Sequence, residues 1–467
     1  MRITDKRVMT IGGSDCSGGA GIQADIKTFS ALGVYGTSVL TAVTAQNSLG
    51  VQNKQELHVE LVKSQFESII GDMSVNYAKT GMLYSAAMTE TVTSLLKKYC
   101  LPFVLDPVMN AGAGGVLMER DSVNTLIELL LPVCQVITPN VPEANAISGL
   151  EIKTVADAKE AAVTIHALGA PVVIITGGHL EREIGARKAT DLIYDGEFQA
   201  LHDSYVNLRQ GRVLHGAGCS FSAALAAELA KGENIRVAAA VAKRFVHDAI
   251  THGDVVSGLV VVSQAYRMRE DAERYYVLED VKEAVRMMKA MKRVETVIPE
   301  VGTNIGMAIE RAESEDDVAA VDGRIRPMRE GINAGSVDFG MSSHVARLIL
   351  AMMKHDSGKR SAINVKYTPE LTAACKESGL VVASFERAKE PVGEGEETMA
   401  WGVKEAVRNL ERNALLPDER GVRKNAVPDV IFDLGAVGKE PMVRIFGNTA
   451  VGVVLKLRKI MDVLGED

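Results

Sequence analysis

Residues 215–230 read HGAGCSFSAALAAELA, a glycine-containing loop followed by a helical pattern, as at a strand-to-helix turn of an α/β fold. Gly216 and Gly218 form a loop, and the small and apolar residues from Ser220 onward predict a helix. Backbone N–H groups in such a loop, together with the helix N-terminus, can bind an anion. An ordinary helix start explains the same pattern equally well. The loop is not a Walker A motif, because GxxxxGK followed by Ser or Thr occurs nowhere in the chain.

Cys219 directly follows these glycines and is a candidate proton acceptor. The backbone dipoles that attract an anion also favour a thiolate at this position. In a phosphoryl-transfer enzyme the loop would stabilise charge on the moving phosphoryl group, and Cys219 would accept the proton of the substrate hydroxyl.

Short apolar runs alternate with longer amphipathic runs throughout the first half. Strands are predicted at Val8–Ile11, Val39–Thr44, Tyr77–Thr80, Phe103–Leu105, Gln135–Thr138, Val172–Thr176 and Asp191–Tyr194. Helices are predicted at Gly21–Leu32, Val62–Ile70, Met88–Lys98, Ser122–Leu130, Val155–Leu168, Ser220–Lys231 and Arg236–Thr251. This alternation predicts an α/β fold with a mostly parallel sheet and helices on both faces, and ligands bind such sheets beyond the carboxyl ends of the strands.

A chain of 467 residues is long enough for two domains. The alternation lapses near residues 255–274, and a second α/β series then follows. We therefore predict a first domain over residues 1–263, a linker over 264–277 and a second domain over 278–467.

Composition and charge narrow the class of protein. The net charge of -8 provides no basic surface for nucleic acid, and no run approaches the roughly 18 uncharged apolar residues of a membrane span. The five cysteines form no CxxC pair and no zinc spacing, which favours reduced thiols. Residues 1–15 contain no apolar signal region, so we expect no secretion signal. We expect a cytoplasmic metabolic enzyme.

Polar side chains at strand ends and helix starts suggest a binding site in the first half. Asp25 and Gln46 together can donate to and accept from an aminopyrimidine edge, although a lone polar residue at such a helix position is more often solvated. Asn140 and Glu143 have the spacing of a helix cap. The same pair can also hold magnesium and a triphosphate through water.

Six motifs occur in order within residues 5–253: GSDCSGGAGIQADIKTFSALGVYGTSVLTAVTAQN, KTGML, VLDPVM, TPNVPEA, TGGHL and HGAGCS. Together they closely resemble the hydroxymethylpyrimidine and phosphomethylpyrimidine kinases, which have the ribokinase-like fold. The resemblance implies two ATP-dependent steps. The first converts 4-amino-5-hydroxymethyl-2-methylpyrimidine to its monophosphate, and the second converts the monophosphate to the diphosphate.

The resemblance also implies a role for each matching position. The pyrimidine pocket would be lined by Gly13, Asp25, Gln46, Met82 and Val108. The anion hole and the catalytic base would be Gly216, Gly218 and Cys219. ATP and Mg2+ would bind, without a direct cluster of metal-ligating side chains, near Asp106, Asn140, Glu143, Thr176 and Gly178.

The chain departs from the family pattern at three places. Thr176 stands where many members have Lys, and DPVMNAGAGG lacks the Lys of the usual DPVMVAKSGD. Cys16 replaces a Pro that is usual in the family. Because only the second phosphorylation binds a phosphorylated acceptor, the two missing cations predict a weaker second step.

Signals in the second half are weaker when taken alone. Arg324 and Arg326 follow a strand-like run in VDGRIRPMRE, and arginines can bind phosphate bidentately. His344 lies near a predicted helix start in FGMSSHVARLIL. A solvated turn and a structural histidine are the more common explanations of these two features.

The second half also carries ordered motifs: PEVGTNIGMAI, DGRIR, DFGMSSHVAR, MKHD, RSAINVKY, SFERAKEP, TMAWGV and DLGAVGKEPMVRIFG. They resemble the thiamine-phosphate synthase domain that is often fused to this kinase in archaea. The resemblance implies condensation of the pyrimidine diphosphate with hydroxyethylthiazole phosphate, which gives thiamine monophosphate and pyrophosphate. Arg324 and His344 would act on the diphosphate, with Arg326 as the alternative arginine. Further phosphate-binding candidates are Asn304, Lys354, Arg360, Arg387 and Lys439.

Three alternatives remain open at this point. The second half resembles thiamine-phosphate-responsive regulators as well as synthases, so it could sense a ligand and control the kinase. The first half could be a pyridoxal-type kinase of the same superfamily. The fusion could serve assembly. Apart from its small-molecule substrates, we expect further copies of the chain as partners in a homo-oligomer.

Overall fold

The computed structural model describes residues 5–110, 115, 117–118, 120–177, 188–206, 208, 213–390, 398–413 and 427–465. The chain divides into two units, residues 1–268 and 269–467. Most of the predicted linker over 264–277 is helical, because it lies within a helix that spans Tyr266–Ala290.

A nine-stranded sheet forms the centre of the first unit. Its strands are β1 (Arg7–Asp15), β2 (Tyr35–Asn47), β3 (Gly50–Glu56), β4 (Tyr77–Thr80), β5 (Phe103–Leu105), β6 (Val136–Ile137), β7 (Val173–Ile175), β8 (Lys188–Tyr194) and β9 (Phe198–Ser204). They lie in the order β3-β2-β1-β4-β5-β6-β7-β8-β9. The neighbouring pairs from β2 to β7 are parallel, and β3, β8 and β9 pair antiparallel at the edges. The prediction of a mostly parallel sheet is confirmed.

Helices cover both faces of this sheet. They are α1 (Gly21–Ala31), α2 (Val59–Asp72), α3 (Ala86–Lys98), α4 (Arg120–Thr125), α5 (Val141–Ser148), α6 (Val155–Ala167), α7 (Ala217–Lys231) and α8 (Ile235–Thr251). Phe29 of α1 shares one apolar cluster with residues of α7 and α8, whereas Phe66 of α2 lies in another with residues of α3, α5 and α6. A small sheet of β10 (Val213–His215), β11 (Asp254–Val256) and β12 (Leu259–Val261) completes the unit.

The carboxyl ends of the parallel strands bring the predicted pocket segments together. Asp106 follows β5, Asn140 follows β6 and Thr176 follows β7. Since parallel strands end at the same edge of the sheet, residues far apart in sequence meet there.

The second unit is built on a seven-stranded sheet. Its strands, in sheet order, are β17 (Val337–Phe339), β14 (Val318–Val321), β13 (Ile305–Ala308), β18 (Ser361–Lys366), β21 (Met442–Gly447), β20 (Val430–Asp433) and β19 (Val382–Ser384). Only β19 and β20 pair in parallel among these strands. The short strands β15 (Arg326–Pro327) and β16 (Ile332–Asn333) form a separate hairpin.

In the described part of this unit, the α-helices beside the second sheet are α9 (Tyr266–Ala290), α10 (Ser343–Met353), α11 (Pro369–Glu377), α12 (Thr398–Asn413) and α13 (Ala450–Gly465). The buried residues of α9 recur at helical spacing and join the core with residues of α11 and α13. Residues of α10 and α12 belong to a second apolar cluster. The prediction of a second α/β domain is confirmed. No helix in the described parts of the chain is both long enough and apolar enough to cross a bilayer.

Candidate active sites

A cavity of about 260 Å³ lies at the carboxyl edge of the first sheet. Every predicted site residue of the first half that the structure describes lines it: Gly13, Asp25, Gln46, Met82, Asp106, Val108, Asn140, Glu143, Thr176, Gly216, Gly218 and Cys219. Gly178 lies outside the described residues. The sequence therefore predicted which residues meet, while their individual roles stay predictions.

The glycine loop starts α7 earlier than the sequence suggested. The helix begins at Ala217 rather than at Ser220, with Gly216 as its N-cap at φ 89°. Cys219 therefore lies in the first turn, where backbone N–H groups have no acceptor within the helix. The N-terminus of α7 lines the cavity, which is the arrangement that an anion hole requires.

The thiol of Cys219 does not behave as the sequence suggested. Burial raises the pKa of Cys219 to about 12, and the charges of Asp106 and Asp25 act in the same direction. Lys79 and the N–H of Gly21 oppose this effect without cancelling it. Desolvation and the two carboxylates favour the neutral thiol, which opposes the expected preference for a thiolate. The role of Cys219 as proton acceptor stays a prediction.

Asn140 and Glu143 form the helix cap that their spacing predicted. The Asn140 side chain accepts from the N–H of Glu143 at 2.9 Å, and Glu143 Oε2 accepts from the N–H of Asn140 at 2.9 Å. Burial, followed by the charge of Asp106, raises the pKa of Glu143 to about 8. A buried carboxylate beside another acid suits a divalent cation, so capping does not exclude a role in magnesium binding.

The cavity is also lined by three ionisable residues that the sequence did not single out: Asp15, Lys79 and His215. His215 Nε2 lies 2.8 Å from Asp15 Oδ2 and 3.4 Å from Gln46 Nε2. Burial would raise the pKa of Asp15, but hydrogen bonds from His215 and Ser17 lower it well below its ordinary value. The sequence does carry a signal for Lys79, because a lysine is unusual in a short strand that is predicted to lie inside a parallel sheet.

No three His, Cys, Asp or Glu side chains in the described parts of either unit are grouped in the way that metal ligands would be.

In the second unit several arginines surround His344, which lies in the first turn of α10. The His344 side chain is exposed, and desolvation together with the charges of Arg444, Arg324, Arg387 and Arg347 lowers its pKa to about 4. His344 is therefore neutral at pH 7, and the arginines carry the positive charge of this region.

Arg444, which the sequence analysis missed, is buried within this region at 2 % exposure. Its Nη1 donates to Asp433 Oδ2 at 2.7 Å, and Arg387 Nε lies 3.3 Å from Asp433 Oδ1. One buried carboxylate thus lies between two guanidinium groups, which leaves a net positive charge. No helical or alternating pattern in the sequence marks a single arginine in a strand as buried, so the sequence did not indicate that Arg444 belongs to this region.

The other phosphate-binding candidates of this unit have different surroundings. The Asn304 amide bonds to the backbone of Val321 and Gly323, so the prediction that it contacts phosphate is not supported. Lys354 is the C-cap of α10, about 15 Å along the helix from His344. Arg360 is paired with Glu273, and Lys439 Nζ lies 3.1 Å from Glu390 Oε2.

Comparison with known proteins places both units in families. Residues 15–260 match the phosphomethylpyrimidine kinase family, and residues 280–459 match the family described as thiamine-phosphate synthase ThiN. The chain is 31 % identical over 458 residues to the bifunctional thiamine biosynthesis protein ThiDN of Methanocaldococcus jannaschii, with 98 % of both chains covered. It is 45 % identical over 246 residues to the hydroxymethylpyrimidine/phosphomethylpyrimidine kinase of Bacillus subtilis, covering 52 % of this chain and 89 % of that one.

Solved structures resemble the first unit. The ADP complex of Bacillus subtilis pyridoxal kinase matches with a TM-score of 0.51 and 39 % identity, over 56 % of this chain and 99 % of that chain. Staphylococcus aureus pyridoxal kinase with AMP-PCP and pyridoxal matches with a TM-score of 0.51 and 34 % identity, over 56 % and 95 % of the two chains.

The fold and the cavity define a ribokinase-like small-molecule kinase that is followed by a second α/β domain. The chain belongs to the family of bifunctional thiamine biosynthesis proteins, in which a phosphomethylpyrimidine kinase domain is joined to a ThiN domain.

Proposed function

We propose that the first unit phosphorylates 4-amino-5-hydroxymethyl-2-methylpyrimidine with ATP, first to the monophosphate and then to the diphosphate. The observation that carries this proposal is the cavity in which Asp25 and Gln46 meet the N-terminus of α7 and Cys219. The first pair supplies the mixed hydrogen-bonding pattern of an aminopyrimidine edge. The helix start supplies N–H groups for the transferred phosphoryl group.

In the reaction, a bond forms between the substrate hydroxyl oxygen and the γ-phosphorus of ATP. The bond from that phosphorus to the bridging oxygen breaks, ADP leaves, and the hydroxyl proton passes to Cys219 in its ionised form. Phosphoryl transfer depends mainly on positioning and charge stabilisation. Lys79 and the N–H of Gly21 favour the ionised form of Cys219, which opposes the effect of burial on the pKa of this thiol.

ATP supplies the phosphoryl group, and Mg2+ neutralises phosphate charge when it is bound. The residues that would hold the magnesium and the triphosphate, through water, are Asp106, Asn140 and Glu143. The raised pKa of Glu143 supports this placement, because a buried acid beside Asp106 is stabilised as an anion by an added cation. Thr176 lies at the same edge and offers a hydroxyl at the position where the resemblance to the kinase family implies a lysine.

For the second unit we propose condensation of the pyrimidine diphosphate with hydroxyethylthiazole phosphate, with release of pyrophosphate. Arg324, Arg387 and the Arg444–Asp433 pair support this role, because departing pyrophosphate requires fixed positive charge. Neutral His344 is suited to hydrogen bonding rather than to ion pairing. Arg324 contributes to the field at His344, which favours it over Arg326 as the acting arginine.

Pyridoxal phosphorylation is a second candidate function of the first unit, because two of the similar solved structures are pyridoxal kinases. Parallel assays of the full chain with pyridoxal and with hydroxymethylpyrimidine separate the two proposals. We expect a higher kcat/KM for hydroxymethylpyrimidine, with pyridoxal acting at most as a weak competitor. A higher kcat/KM for pyridoxal would reverse the assignment.

A ligand-sensing role for the second unit is tested with the full chain carrying Cys219→Ala. When this variant is given preformed pyrimidine diphosphate and hydroxyethylthiazole phosphate, it should release pyrophosphate, because the second unit does not need Cys219. Binding of thiamine monophosphate without any pyrophosphate release would instead indicate a sensor.

A further inference from the structure

Lys79 lies in the interior strand β4, and its side chain is only 1 % exposed although it lines the kinase cavity. Its Nζ lies 3.1 and 3.0 Å from the two carboxylate oxygens of Asp25 and 3.3 Å from Asp106 Oδ2. Asp25 belongs to α1, and Asp106 follows β5. A single ammonium group therefore joins the pyrimidine side of the site to the nucleotide side.

Both carboxylates have further partners that fix their orientation. Asp25 Oδ2 accepts from the Thr10 hydroxyl at 2.6 Å, and Asp106 Oδ2 accepts from the Ser222 hydroxyl at 2.8 Å. Ser222 lies in α7, one turn beyond Cys219. The chain of contacts therefore runs from β1 through Lys79 to the helix that carries the proposed base.

The sequence leaves room for this ammonium group. A Cβ atom at Gly81 would come within 3.1 Å of Lys79 Nζ, so a larger residue there would crowd the ammonium. In the motif KTG, the lysine and the glycine are therefore structurally coupled.

The charge balance shows why Lys79 matters. The negative charge of Asp106 acts on Asp25, Glu143 and Cys219, and Lys79 acts on Asp25 and Cys219 with the opposite sign. Without the ammonium group, two buried carboxylates would face each other with no cation between them, which favours repulsion and rearrangement.

We propose that Lys79 is a positioning residue for phosphoryl transfer: it holds Asp25 and Asp106 in one ionic array within electrostatic reach of Cys219. This inference rests on the proposed kinase function and adds to it a residue that acts through its neighbours. A buried lysine that served only packing would be replaceable by methionine without a specific effect on catalysis.

The test compares Lys79→Met and Lys79→Gln with Lys231→Met in the full chain. Lys231 pairs with Glu228 at 2.6 Å near the far end of α7, so its replacement also removes an ion pair of the first unit. We expect kcat with hydroxymethylpyrimidine to fall about 100-fold in both Lys79 variants, as for a misplaced reacting group. It should stay within about threefold of wild type in Lys231→Met. Gln keeps a hydrogen-bond donor, so it provides a folded variant if Met does not.

A second measurement does not depend on activity. Alkylation of Cys219 by iodoacetamide, mapped by mass spectrometry, should slow about tenfold in the Lys79 variants, because the nearby cation that favours the thiolate is lost. The proposal would be overturned if a folded Lys79 variant kept both its kcat and its rate of Cys219 alkylation within about threefold of wild type. If the wild-type chain phosphorylates no pyrimidine, the proposed function fails, and the alkylation rates alone then decide whether Lys79 organises the array.

Discussion

A Cβ atom at Gly216 would lie 2.0 Å from the carbonyl oxygen of Gly19. Gly216 also has φ 89°, a conformation that side chains disfavour. The start of α7 and the first glycine-rich loop therefore approach each other so closely that only glycine fits between them. This approach brings the proposed anion hole against the loop that precedes Asp25.

Gly216→Ala should destabilise the first unit by about 2–5 kcal/mol, because it adds a steric clash to backbone strain. Gly232→Ala at the other end of α7 is the matched control, since Gly232 has φ 102° with open space around its Cβ position. The control should lose only about 1–2 kcal/mol. Calorimetric unfolding of both variants measures the difference, and equal losses would contradict the close approach.

Cys219→Ala should lower kcat for hydroxymethylpyrimidine phosphorylation by about 100-fold or more, because the proposed proton acceptor is removed. Cys100→Ala changes an exposed thiol outside the cavity and should leave kcat unchanged. ADP release under steady-state conditions provides the measurement. Normal turnover by Cys219→Ala would mean that another group accepts the proton.

Thr176→Lys should improve the second phosphorylation more than the first. The added cation can contact the phosphate of the monophosphate substrate, and a charge-assisted hydrogen bond of this kind corresponds to about tenfold in kcat/KM. Thr91→Lys adds the same charge on α3, outside the cavity. The value of kcat/KM for the monophosphate, divided by that for hydroxymethylpyrimidine, should rise only in Thr176→Lys. A constant ratio would show that the missing lysine does not limit the second step.

His344 should titrate near pH 4 rather than near its ordinary value of 6.5. The folded second unit then binds this proton less readily than the unfolded chain, so its free energy of unfolding should decrease as the pH falls from about 6.5 to 4. Histidine NMR titration checks the pKa directly. Arg324→Gln should raise the pKa of His344, because it removes a nearby positive charge, and Arg326→Gln provides the matched comparison. A larger effect of Arg326→Gln would assign the site to that arginine.

The parallel core of the first unit was predictable because buried strands and amphipathic helices alternate at regular spacing. The edge strands β3 and β9 were not, because Gly50–Glu56 and Phe198–Ser204 carry too few apolar residues. In the second unit, sequence indicated alternation but not the antiparallel pairing, since pairing depends on contacts between distant strands.

The site was predictable at the level of which residues meet, because strand ends and motif order determine that. Its electrostatics were not. The pairing of Asp15 with His215 joins residues 200 positions apart, and the burial that raises the pKa of Cys219 results from packing rather than from local sequence.

The most direct test of this account supplies the full chain with hydroxymethylpyrimidine, hydroxyethylthiazole phosphate and Mg-ATP, and monitors thiamine monophosphate by mass spectrometry. We predict that wild type forms thiamine monophosphate and that Cys219→Ala forms it more slowly, by about 100-fold or more. The wild-type rate should return when that variant receives preformed pyrimidine diphosphate. If wild type formed no thiamine monophosphate while a separately supplied synthase converted its kinase product, the proposed function of the second unit would be wrong. If no pyrimidine phosphate appeared at all, the proposed function of the first unit would be wrong.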